Sequence, residues 1–316
     1  MTEIDTTALG SQERVPVVPP PPPQDAEAIT TEERSQLDLV LRRFLRHRVA
    51  VASLIAFLLI VAFAFLGPVL WQYDHNIYRE IPSDAAPSWD HPFGTTRLGQ
   101  DVMGQIMRGT QQTLKVGFTV ALISIGIGAT WGAVAGFYRG MVDSVMMRIV
   151  DIVIIIPVLV VVLVLAGLTQ GTTWYQVALI IGIFGWTSTA RVVRGMVLSL
   201  REQEFIEASR AMGATDSRII FKHLLPNTAG VIIVDATLII AVAILVEAAL
   251  SFLGFGIQAP DTSLGLLIQN AQTAVFTRPW LFYIPGVFII AIVLTINFIG
   301  DGLRDALDPK QQMVRR

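Results

Sequence analysis

Six continuous apolar runs dominate the 316-residue chain, near 49–70, 113–137, 146–167, 176–193, 229–253 and 281–300. Each approaches the roughly 20 residues that an α-helix needs to cross a bilayer. None shows the strict alternation of a lipid-facing barrel strand. Backbone groups left unpaired in hydrocarbon cost several kcal/mol each, so the pattern predicts helices rather than open sheet. The fourth run is the least regular, because "GWTSTARVVRG" turns polar early. Pro157 and Pro285 fall inside apolar runs, where each removes a helical hydrogen bond and favours a kink.

Between the fourth and fifth runs lies the longest polar interruption, and its pattern is helical. In "EFIEASRAMG" (204–213), Phe205, Ala208 and Met212 share one face, flanked by Ile206 and Ser209. Glu202, Glu204 and Glu207 crowd the start, where negative charge favours the helix dipole. Gly213 then reads as a left-handed residue just past the helix end. Thr215 or Asp216 can cap a second short helix, "SRIIFKHLL". Pro226 predicts a break or bend before the next span. Such a hairpin is either an amphipathic connector resting on headgroups or a rigid lever inserted into a soluble partner, and the pattern alone favours neither.

Composition agrees with the spans: 53% of residues are hydrophobic, 15% charged, and mean hydropathy is +0.60. A net charge of −2 supplies no global basic field for nucleic acid. The basic residues are instead placed asymmetrically. Arg42, Arg43, Arg46 and Arg48 precede the first run, and Arg139 and Arg148 follow the second. Arg191, Arg194, Arg201, Arg210, Arg218 and Lys222 lie around the hairpin, with Arg304, Lys310, Arg315 and Arg316 at the end. The opposite loops hold Arg79, Arg97, Arg108 and Arg278. The positive-inside rule therefore predicts a multi-pass membrane protein with both termini and the hairpin in the cytoplasm.

The N-terminal segment has the composition of a disordered tail rather than of a cleavable signal, with "VPVVPPPPPQDAEAITTEE" Pro-rich and then acidic. The resulting division is a tail over 1–36, a first span and long outer loop over 37–112, a core domain over 113–305 and a cytoplasmic tail over 306–316. Outer segments 71–112 and 254–280 each read as a loop followed by a short helical piece, the second with Asp261 or Thr262 as N-cap. They are either solvated filler or a docking surface.

The candidate chemistry is sparse. There is no cysteine, so disulfides and thiol catalysis are excluded. No G-x-S-x-G, paired-histidine or zinc spacing occurs, and His47, His75, His91 and His223 are scattered. The three lysines, Lys115, Lys222 and Lys310, follow Leu, Phe and Pro, so no G-K-[ST] phosphate loop exists. Any ATP-driven work must draw on another chain. Charged groups within the apolar runs are Asp151, Asp235, Glu247 and, near a helix start, Lys115. Asp151 is placed to pair with Arg148 one turn earlier. Asp235 and Glu247 fall broadly on one side of the fifth helix, either lining a polar path or making buried polar contacts.

Residues Glu207-Ala208, Gly213 and Leu225-Pro226 carry a resemblance to the E-A-A-x3-G-x9-I-x-L-P signature of ABC-importer permeases. Ser209 stands for the second Ala and His223 for Ile. "FGTTRLGQDVMGQIMRGTQQTLKVGF" resembles the segment before the second span in C-type subunits of dipeptide, oligopeptide and nickel importers, with departures at Thr96 and Gln100. "EAALSFLGFGIQAP" is similar to the stretch after the fifth span, although Leu264 replaces a usual Trp, and "NFIGDGLRDALDP" resembles the C-terminal signature. The likeness covers roughly residues 40 to 310.

The resemblance implies an all-α, six-span type I importer permease with a cytoplasmic coupling hairpin. It implies a heterodimer with a B-type permease, two cytoplasmic ATPase subunits that hold ATP and magnesium, and an extracytoplasmic substrate-binding protein. Glu207, Ala208, Ser209, Gly213, Leu225 and Pro226 would form the ATPase-coupling element, and Asp235 and Glu247 are the path candidates. No cofactor is expected in this chain itself. A nickel or other small-solute importer is the nearest alternative substrate class. An ion-gradient-driven secondary transporter is the alternative of another kind, and would call for more acidic groups in the spans and for inverted repeats.

Overall fold

The computed structural model describes residues 36–76, 82–168 and 173–307. The Pro-rich segment, Arg79, residues 169–172 and everything after Leu307 lie outside the described residues. The chain divides into two units at Leu39/Val40. Of the first, only the opening of one helix is described; all that follows concerns the second.

The described residues are helical, with one isolated bridge between Thr95 and Asp101. In chain order the helices are α1 (Gln36–Arg46), α2 (Arg48–Leu70), α3 (Val102–Tyr138), α4 (Gly140–Ile155), α5 (Val158–Leu168), α6 (Trp174–Gly185) and α7 (Thr187–Leu200). Then come α8 (Glu204–Ala211), α9 (Asp216–Arg218) with a π turn over Ile219–Leu224, α10 (Leu225–Phe252), α11 (Leu264–Ala271) and α12 (Trp280–Leu307). Among the described residues four continuous helical stretches are long and apolar enough to cross a membrane, and two bent pairs bring the number to the expected six when each is counted as one span.

The bends fall where the sequence turns irregular. Pro157 separates α4 from α5 at 66°, and Trp186 separates α6 from α7 at 40°. Pro285, by contrast, lies within the unbroken α12. It sits one and a half turns from the helix start, where few upstream carbonyls lose a donor.

α3 is the most buried helix and the centre of the packing. It starts eleven residues earlier than hydropathy predicts, since Val102–Gln112 continues the span instead of forming a separate piece. Asp101 caps it, accepting from the Gly104 amide at 2.8 Å and from Trp71 Nε1 at 2.9 Å. Gly128, Gly132 and Gly136 form a stripe at four-residue spacing against α7. A Cβ at Gly132 would lie 2.3 Å from the Ala190 carbonyl oxygen, and one at Gly128 2.5 Å from that of Trp186. Small residues at this spacing let helix backbones approach closely in a membrane. α10 and α12 meet in the same way, with a Cβ at Gly300 falling 2.1 Å from Thr237 Oγ1. α2 carries apolar residues on every side, with Leu58, Leu59, Phe65 and Leu66 exposed, as a helix facing lipid should.

Ion pairs fix the remaining helices. Arg194 holds Asp143 through two bonds of 2.5 and 2.6 Å, joining α7 to α4. Asp151 pairs with Arg191 at 2.7 Å, not with Arg148 as the one-turn spacing predicts. The α4–α7 packing offers Asp151 a partner on a neighbouring helix, and a side-chain pair within one helix contributes only a few tenths of a kcal/mol.

The two long loops gather at one end of the bundle, here the loop end. His91 Nδ1 lies 2.9 Å from Asp101 Oδ1, Arg278 pairs with Asp84, and Arg108 grips Asp261 through bonds of 2.8 and 3.0 Å. Asp261 is thereby occupied, and the N-cap of α11 is Ser263, whose hydroxyl accepts from Leu266. Neither Asp261 nor Thr262 serves as the cap.

Candidate functional site

The polar hairpin sits at the opposite end of the bundle. α8 closes with both bonds of a Schellman motif: Gly213 N–H donates to Arg210 O at 2.9 Å and Ala214 N–H to Ser209 O at 3.1 Å. Gly213 has φ +81° and no atom within 4 Å of an added Cβ. The turn therefore requires glycine for its backbone angle alone, not for space. Thr215 caps the next helix by accepting from Arg218 N–H.

Burial assigns the two sides of α8. Ile206 and Ser209 face inward, packed with Ile219, Ile220, Leu224, Val193 and Val197. Phe205, Ala208 and Met212 face outward, with Met212 81% exposed. Ser209, which departs from the signature alanine, satisfies its buried hydroxyl by donating to Phe205 O at 2.8 Å. Glu207 is exposed beside the outward apolar face.

Behind this face lies a cationic brace. Arg139 bonds Leu198 O at 3.2 Å and Glu202 at 2.7 Å, Arg201 donates to Phe137 O, and Arg210 stacks 5.2 Å from the Phe137 ring centroid. Loss of hydration on burial, then the nearby Arg139 and Arg210 charges, push the Arg201 pKa down from its ordinary value.

Pro226 does not break the chain's path. Asp216–Phe252 runs as one helical stretch of 37 residues. The π turn shifts the hydrogen-bond register just ahead of Pro226, with Leu225 N–H reaching Ile220 O. Proline then falls in the first turn of α10, where a missing N–H costs little. Asn227 Nδ2 donates to the His223 carbonyl at 2.6 Å and Thr228 Oγ1 to Leu225 O at 2.8 Å, so the displaced carbonyls keep partners. His223 itself, the second departure from the signature, is half-buried within the π turn.

A family model described as the binding-protein-dependent transport system inner membrane component matches residues 128–313, which include this whole hairpin. The chain belongs to that family. A second model, the N-terminal TM domain of oligopeptide transport permease C, matches residues 35–87 of the permease. The permease is 44% identical over 288 residues to an oligopeptide transport system permease protein OppC of Mycobacterium tuberculosis, covering 90% of this chain and 99% of the relative. It is 39% identical over 291 residues to a dipeptide transport system permease protein DppC of Bacillus subtilis, covering 91% and 90%. In fold it is similar to a chain of the MetNI methionine ABC transporter in an inward-facing conformation, with TM-score 0.52, 23% identity, and coverage of 66% of this chain and 98% of that one.

The permease keeps its two acidic candidates apart. Asp235 is half-buried and accepts from Thr189 Oγ1 at 2.6 Å, tying α10 to α7. Glu247 is fully buried near the loop end, accepting from Ser251 Oγ at 2.7 Å and Thr113 Oγ1 at 3.2 Å. Ser263 Oγ donates onward to Ser251 Oγ at 3.0 Å, so the network joins α3, α10 and the cap of α11. Of the two readings left open for these acids, buried contact describes Glu247 in this conformation.

Sequence reasoning missed a further polar group on α3. Arg108, Gln111, Gln112 and Lys115 recur at helical spacing near the loop end, and all but Lys115 hydrogen-bond to other segments. A count of polar residues at i, i+3, i+4 and i+7 from Arg108 would have found them. Among the described residues, no three histidine or acidic side chains converge as metal ligands.

Proposed function

We propose that this permease is the C-type half of the membrane channel of an ATP-driven peptide importer. It lies in a bacterial plasma membrane with both termini and the hairpin in the cytoplasm. A B-type permease completes the channel, two cytoplasmic ATPase subunits carry the ATP and magnesium, and an extracytoplasmic protein delivers peptide. The chain itself performs no hydrolysis. Its relatives named for oligopeptide and dipeptide transport support the substrate class.

The observation that carries the coupling role is the outward face of Phe205, Ala208 and Met212. It is an apolar surface on a braced, Schellman-closed hairpin, continuous with a membrane-crossing helix. Closure of the ATPase pair around α8 moves that helix and switches the channel between inward- and outward-open states, an instance of alternating access.

Gly213→Val tests this. A non-glycine residue held in the left-handed region costs about 1–3 kcal/mol, which α8 can relieve only by changing its angle. Membrane insertion is expected to be unchanged, while peptide uptake and peptide-stimulated ATP hydrolysis fall in reconstituted vesicles. Normal uptake by a fully inserted variant would remove the hairpin from the coupling role.

A further inference from the structure

Lys115 lies about 20 Å along α3 from Val102, on a helix that crosses the membrane. A charge there is costly and characteristically faces a cavity, a partner or a substrate route. Its ammonium sits 5.8 Å from the Trp174 ring centroid, a cation–π contact that leaves the charge in place. Among the described residues no carboxylate forms an ion pair with it. The charges acting on it are Arg108 and Asp261. Those two are already joined by two bonds, and Gln112 Nε2 donates a third to Asp261 at 2.5 Å. The group of three charges thus carries one unit of excess positive charge, and it resides on Lys115.

A second unmet group lies three residues away. Gln112 is 1% exposed, its Nε2 is taken by Asp261, and its Oε1 accepts no hydrogen bond among the described residues. Positions i and i+3 lie on the same side of a helix. A cation and an unfilled carbonyl acceptor match a ligand that presents a carboxylate beside an amide N–H.

We propose that Lys115 is a carboxylate-binding site on the translocation route, taking the C-terminal carboxylate of the passing peptide. The proposal rests on the reading of the chain as a peptide permease. Lys115 is a binding residue here and has no part in ATP hydrolysis. A lysine that makes no contact with the passing peptide would not distinguish one peptide terminus from another.

The test uses the assembled transporter in proteoliposomes and two labelled probes, trialanine as the free acid and as the C-terminal amide. Delivery by the external protein is common to wild type and variants, so its own preference cancels in the variant-to-wild-type ratio for each probe. Lys115→Gln is expected to lower uptake of the free acid by about tenfold, the loss of one charge-assisted contact, and to leave the amide unchanged. Lys115→Arg is expected to keep the preference for the acid. Equal loss of both probes with Lys115→Gln, or loss of neither, overturns the site. So does loss of the acid preference in a Lys115→Arg transporter with normal basal ATP hydrolysis, the arm that stands if the Gln variant does not assemble. A wild-type transporter that carries neither probe refutes the peptide reading itself, which is a separate result.

Discussion

Gly132→Ala adds a single methyl group at the closest helix–helix approach on α3. The new Cβ would stand 2.3 Å from the Ala190 carbonyl oxygen and 2.9 Å from the Arg194 amide nitrogen. Ordinary contact between such atoms begins near 3.4 Å, so the helices must part by about 1 Å. They cannot part at that point alone. Gly128 against Trp186 and Gly136 against Arg194 bring the same two helices similarly close above and below, where an added Cβ would stand 2.5 and 2.9 Å from the facing carbonyl oxygens. Separation would also stretch the Thr189–Asp235 and Arg194–Asp143 bonds. Overpacking of this kind costs about 1–3 kcal/mol, whereas alanine's better helix propensity returns less than about 1. The control is Gly195→Ala on α7, where nothing lies within 4 Å of the added Cβ. It receives the propensity gain without the clash. The two alanines are expected to differ by about 2 kcal/mol, or several degrees in unfolding temperature. The assay is the fraction of the detergent-solubilised complex that stays monodisperse after heating at a fixed rate, because membrane proteins unfold irreversibly. Should Gly132→Ala survive heating as well as Gly195→Ala, the close-packing argument for the glycine stripe is wrong.

Two further variants probe the loop end. Glu247→Leu leaves the buried Thr113 and Ser251 hydroxyls without their acceptor, at about 1–3 kcal/mol each, whereas Glu247→Gln retains a carbonyl oxygen in place. The same heating assay should rank wild type above Gln and Gln above Leu; a Leu variant equal to Gln would deny the network its structural role. For the Arg108–Asp261 pair, a double-mutant cycle through Arg108→Met and Asp261→Leu should return about 1 kcal/mol of coupling, since both side chains are partly solvent-exposed. Strict additivity would mean that the bidentate contact holds nothing together.

The spans were legible because hydrocarbon imposes one requirement on every residue within them, and long apolar runs record it directly. Gly213 was legible for a similar reason, since a positive φ admits few residues. What escaped prediction depends on neighbours that local pattern does not name. Asp151 found Arg191, forty positions away, in place of Arg148 on its own helix. Pro226 reads locally as a breaker, yet a π turn and the Asn227 and Thr228 side chains absorb it. The polar opening of α3 reads as a separate short helical piece when hydropathy is averaged, although Asp101 caps it and Val102–Gln112 continues the span inside the bundle. In the hairpin, the Phe205–Ala208–Met212 face was identified correctly as a face. Its direction was left open, because periodicity states which residues share a side and not which side is buried.

The continuity of Asp216–Phe252 has a mechanical consequence. Near its middle this rod is held by Thr189 at Asp235 and pressed by Gly300 at Thr237. Under the proposed coupling that contact would be the fulcrum, with an arm of about 29 Å to Asp216 and one of about 18 Å to Glu247. A displacement applied at the hairpin would then reach the Glu247 network reversed in direction and reduced to about two-thirds. The hydroxyls of Thr113, Ser251 and Ser263 lie where that reduced movement would arrive.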